Sequence, residues 1–122
     1  MGDYRQLSVW KRAHGLALGV YRSTGEFPKS ERYGLAAQLR RAATSIVSNI
    51  AEGSGRHSNR DEMRFFRIAR GSLSELECQL LLARDVGMLE PKVWTELDSS
   101  CHEVGRMLNG LIRSYSARRL PI

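Results

Sequence analysis

Apolar residues recur three and four positions apart along almost the whole chain. Val9, Ala13, Leu16 with Ala17, and Val20 form a first stripe. It predicts a helix over about 7–24, stopped at Gly25-Glu26-Phe27-Pro28. Leu35, Leu39, Ala42, Ile46 and Ile50 predict a second helix over 31–53. Ser30 is its expected N-cap, Glu31 sits near the positive end of its dipole, and Gly53 is the expected stop. Phe66, Ala69, Leu73, Leu76, Leu80 and Ala83 predict a third over 58–87, opened by Ser58 or Asn59. Val93, Leu97, Cys101, Val104, Leu108, Leu111 and Tyr115 predict a fourth over 91–116, with Pro91 in the first turn and a frayed tail over 116–122. No sustained period-two alternation supports a strand. Long three-four helices joined by short loops imply an all-α fold, an antiparallel up-down four-helix bundle filling one domain over residues 1–122.

Two helices carry more apolar surface than one core needs. Helix 3 adds Phe65, Ile68, Leu82 and Val86 beside its seam, and helix 2 adds Ala36, Ala43 and Val47. A bundle helix buries one face. The excess points to burial against another subunit, or to a broad stripe within one bundle. Phe65 and Ile68, with the small residues Gly71 and Ser72 in mid-helix, are the expected oligomer contacts.

Charge sharpens this picture. The chain of 122 residues carries a formal charge of +6, and sixteen of its nineteen bases are arginine. Residues 1–60 hold ten bases against four acids, and residues 61–122 hold nine against nine. Arginine forks onto phosphate in a way lysine cannot. Arg40 and Arg41 lie off the seam of helix 2, and Arg56, Arg60, Arg64 and Arg67 step by four, four and three. Such a row suits a nucleic-acid backbone, since each neutralised phosphate releases counterions. The alternative is a solvated face partly paired with Asp61 and Glu62. Thin aromatic interleaving argues against base stacking on single strands.

Enzyme chemistry finds little footing. No Glu precedes a His by three, the spacing di-iron bundles use. His14, His57 and His102 fall on different helices or a loop, so no metal or cofactor is expected. There is no Gly-x-Ser-x-Gly elbow and no Walker spacing around Gly53-Ser54-Gly55. Asn49, Glu52 and Gly53 are read as a polar turn fastening helix 2 to helix 3, not as catalytic groups. Cys78 and Cys101 form no CxxC and lie in apolar patterns, pointing to two core thiols in a reduced cytoplasmic protein. No apolar run approaches the ~20 residues of a membrane span.

Several motifs stand in order: Leu7-x-Val9-Trp10-Lys11, Phe27-Pro28, Tyr33-Gly34-Leu35 and Gln38-Leu39-Arg40-Arg41-Ala42. Ser45-Ile46-x-x-Asn49-Ile50-Ala51-Glu52-Gly53 and Ile68-Ala69-x-Gly71-Ser72-Leu73-x-Glu75-Leu76-Glu77 follow. Together they resemble the four-helix proteins encoded by intervening sequences of bacterial 23S rRNA genes, over nearly the whole chain. A related group is the accessory variability determinants of diversity-generating retroelements. The resemblance implies a four-helix protomer of a ring-shaped homopentamer. In the retroelement group it also implies a basic surface that binds RNA or DNA and a reverse transcriptase.

Overall fold

Four helices follow one another: α1 (Ser8–Thr24), α2 (Leu35–Ser54), α3 (Asn59–Asp85) and α4 (Pro91–Arg119). The computed structural model describes residues 3–119, and these contain no strand. Single 3-10 turns at Tyr4–Gln6 and Lys29–Glu31 precede α1 and α2. Each helix packs on two neighbours, α1 on α2 and α4, α3 on α2 and α4, while the diagonal pairs do not meet. The result is the expected square of four helices.

Side-chain contacts fix an antiparallel register. As α3 advances from Glu62 through Arg70 to Arg84, its α4 partner retreats from Tyr115 through Asn109 to Trp94. Between α2 and α3, Ser45 meets Ser72 and Gly53 meets Phe66. The expected seams fill the centre. Leu39, Ile46, Ile50, Phe66, Leu76, Leu80, Val104 and Leu108 are each 2% exposed or less. Ala36 and Ala43 are buried within this same chain, so the wide face of α2 needs no second subunit. The stripe beside the seam of α3 behaves differently: Ile68, Leu82 and Val86 stay exposed.

Several details depart from the sequence expectation. Ser30 does not cap α2; it lies inside the 3-10 turn, and Gly34 holds the cap position. Glu31 does the capping instead, its Oε1 accepting the Leu35 N–H at 3.1 Å. That satisfies one orphan donor and sets a carboxylate at the positive helix end. Gly53 does not stop α2. It is buried within the last turn, and Gly55 follows as cap. A Cβ on Gly53 would lie 2.7 Å from Phe66 Cε1, so close packing demands glycine there. Ser116–Arg119 continue α4 where fraying was expected; 120–122 lie outside the described residues. Cys101 is buried as expected, but Cys78 is exposed on α3.

The expected opening of α3 holds. The Ser58 side chain accepts the Asp61 N–H at 3.2 Å. At the far end Gly87 takes φ 85°, and Met88 N–H reaches back to the Ala83 carbonyl at 2.9 Å. This left-handed closing turn favours glycine, which has no Cβ to clash.

Arg40 ties α1 to α2. Its Nε donates to Thr24 Oγ1 at 2.7 Å and its Nη2 to the Tyr21 carbonyl at 3.3 Å. The guanidinium also lies 4.8 Å from the Tyr21 ring centre. Thr24, itself buried, donates its own hydroxyl hydrogen bond to the Val20 carbonyl at 2.8 Å. Charged hydrogen bonds contribute about 1.5–3 kcal/mol when buried, and less at a half-exposed site. Arg40→Ala is therefore expected to cost about 1–2 kcal/mol, read as a lower urea midpoint with unchanged m.

Candidate nucleic-acid interface

The six arginines singled out from the sequence do not form one patch. Arg40 is committed to α1, as described. Arg41 is exposed on α2, one turn before Ser45, which meets Ser72 of α3. At 1.5 Å per residue, Arg41 stands roughly 20 Å along the bundle from Arg64.

Arg56 precedes α3 instead of joining its stripe. It is half-buried, its Nη2 donates to Glu52 at 2.7 Å, and its guanidinium lies 4.5 Å from the Phe65 ring centre. Its Nε is buried without a hydrogen-bond partner. Arg64 lies over the same ring at 4.6 Å. Phe65 is thus a platform for two guanidinium groups, and its Cβ sits against Gly53. This role was not foreseen, because Arg56 and Phe65 are joined only by the geometry of the α2–α3 turn.

Arg60, Arg64 and Arg67 form the continuous part of the row. All three are exposed on the outer face of α3, and with Asp61 and Ile68 they line an open depression of about 580 Å³. Among the described residues none of the three pairs with a carboxylate. The pairing considered with Asp61 and Glu62 does not form. Glu62 instead accepts the Tyr115 hydroxyl at 3.0 Å. The row spans about 10 Å along the helix axis.

The polar turn is half as expected. Glu52 and Arg56 do clasp the end of α2. Asn49 plays no part in the turn; its Nδ2 donates back to the Ser45 carbonyl at 2.8 Å and to Ser45 Oγ at 3.1 Å. Ser45 Oγ is also 2.7 Å from Ser72 Oγ. Ser72 is therefore half-buried between α2 and α3 of one chain, which leaves Ile68 and Gly71 as the exposed members of the expected oligomer contact.

The sequence match decides the family. The family model described as 23S rRNA-intervening sequence protein matches residues 5–110. The chain belongs to the 23S rRNA-intervening sequence protein family. That stretch runs from the first 3-10 turn well into α4, so the family signal and the bundle coincide. Among solved structures, the chain is similar to a protein of unknown function from the S23 ribosomal protein family of Bacteroides thetaiotaomicron VPI-5482. The TM-score is 0.77 at 20% identity, over 85% of this chain and 97% of that one. At that identity the likeness speaks for the fold alone. No curated protein matches the chain. Of the described helices of this intervening-sequence protein, none is long and apolar enough to cross a membrane.

Proposed function

We propose that the chain is a non-enzymatic, ring-forming homo-oligomer, a pentamer, that binds the backbone of RNA or DNA through α3. The observation that carries this reading is the row Arg60, Arg64 and Arg67, exposed, aligned and, among the described residues, free of carboxylate partners. Unpaired guanidinium groups keep their full donor set for phosphate. A ring would repeat this short row, and repetition raises avidity without new contacts. Ile68, beside the row, Leu82 farther along α3 and Val86 just past its end would be buried between subunits.

A salt titration of duplex RNA binding tests it. Each phosphate contact contributes about 0.9 to the slope of log K against log salt. The triple variant Arg60→Ala, Arg64→Ala, Arg67→Ala is expected to flatten that slope by about 2–3. A wild-type protein that does not bind at low salt, or a slope unchanged in the variant, overturns the reading.

The exposed apolar run Leu81, Leu82 and Val86 favours a second reading, a scaffold that docks another protein. A monomer in light scattering with no RNA affinity would favour that alternative.

A further inference from the structure

We propose that Glu77, Asp98 and His102 form a binding site for a divalent transition-metal ion of the zinc type, stapling α3 to α4. Asp98 and His102 lie four apart on α4 and so share one face. Glu77 of α3 comes up opposite them. The His102 Nε2 lies 3.6 Å from Glu77 Oε2 and 3.9 Å from Asp98 Oδ2, and the three donor atoms all fall within 4.8 Å of one another.

Those separations are too long for hydrogen bonds, which prefer about 2.7–3.2 Å. They come close to a coordination shell. Ligands about 2.0–2.2 Å from a tetrahedral ion stand about 3.4 Å apart. Small side-chain rotations would bring the three atoms onto one ion.

Charge points the same way. Glu77 and Asp98 are both largely covered, with 34% and 27% of their side chains exposed. Neither has a Lys, an Arg or a hydrogen-bond donor as partner among the described residues; each approaches only His102. Like charges brought this close repel, and partial contact with water screens them only in part. A neutral imidazole supplies no compensation and a protonated one supplies half, whereas a divalent ion offsets both charges. The donor set selects the metal class: imidazole with carboxylate suits zinc and its neighbours, while magnesium and calcium take oxygen alone.

The frame is rigid. Cys101 beside His102 is fully buried, as are Leu76 beside Glu77 and Val104 one turn on. Helix-borne ligands set by core packing hold their geometry better than ligands on loops. His102 is half-exposed, so water can complete the shell from outside.

The test is calorimetric titration of chelator-stripped full-length protein with Zn²⁺. It is run in a Cys78→Ser background, which removes the exposed thiol as a competing ligand. One equivalent per chain is expected, at least tenfold weaker in His102→Ala and again in Glu77→Gln, with circular dichroism showing the helices intact. Replacing zinc by Co²⁺ should give visible absorption bands that vanish in His102→Ala. Absence of binding, or affinity unchanged in both variants, overturns the proposal; the latter would place the ion at His14 or His57.

Discussion

Phe66→Ala lowers the unfolding free energy by about 3–5 kcal/mol, the usual cost of emptying a fully packed aromatic site. Phe66 is 1% exposed. Its ring meets Tyr115 edge-on at 5.5 Å between centroids and presses on Gly53 from the other helix. The pairing with Gly53 makes a sharper prediction. Gly53→Ala alone drives a methyl to 2.7 Å from Phe66 Cε1 and 3.0 Å from Cδ1. Overpacking of this kind costs about 1–3 kcal/mol and outweighs the gain of up to about 1 kcal/mol from a better helix former. Once Phe66 is alanine only the Phe65 Cβ, 3.1 Å away, still crowds the new methyl, and the same Gly53→Ala costs much less. Urea unfolding of the four proteins should give a coupling of about 1–2 kcal/mol. Simple additivity of the two changes would show that ring and glycine do not meet as described.

This contact also explains what the sequence could and could not disclose. The four helices, their seams and their antiparallel order follow from three-four spacing, since Leu35 to Ile50 and Phe66 to Ala83 can bury one face only as helices. Gly53 was legible as special but not as packed. A glycine near a helix end reads as a stop, because nothing in one strand of sequence shows that an aromatic ring thirteen residues later crosses at that point. Ser30 failed for a related reason. A good capping residue was present, but the 3-10 turn carried the chain past it, and Glu31 took the task from three residues farther back than a normal cap.

The basic site was legible in its row and not in its membership. Arg60, Arg64 and Arg67 share a face by arithmetic. Arg40 looked equally exposed on the α2 wheel, yet Thr24 and the Tyr21 carbonyl claim it from a neighbouring helix. The carboxylate–imidazole cluster does not carry the Glu-x-x-His spacing of di-iron bundles. The Asp-x-x-x-His spacing of Asp98 and His102 was the available signal, and Glu77 joins only through the α3–α4 register.

Cys101 should resist thiol reagents in the folded protein while Cys78 reacts. Burial, with the Glu77 and Asp98 carboxylates adding to it, pushes the Cys101 thiol from an ordinary 9.0 up to about 12. Only the thiolate attacks disulfide reagents. At pH 8 that shift alone cuts its thiolate fraction about a thousandfold, before any steric screening. Ellman titration should therefore show one fast thiol, the exposed Cys78, and two after unfolding in urea. The same shift fixes a pH dependence. Between pH 9 and 12 the unfolded chain has released the Cys101 proton and the folded chain still holds it. The unfolded state then binds fewer protons, so stability falls as pH rises, by up to about 1.4 kcal/mol per unit; below pH 9 the contribution is fully present. Other groups titrate in this range, so the comparison is with Cys101→Ala, in chelator so that both carboxylates keep their charge. The stability margin of the wild type over the variant should shrink steadily above pH 9. Parallel curves from pH 8 to 11 would show that the thiol is not held protonated by the core.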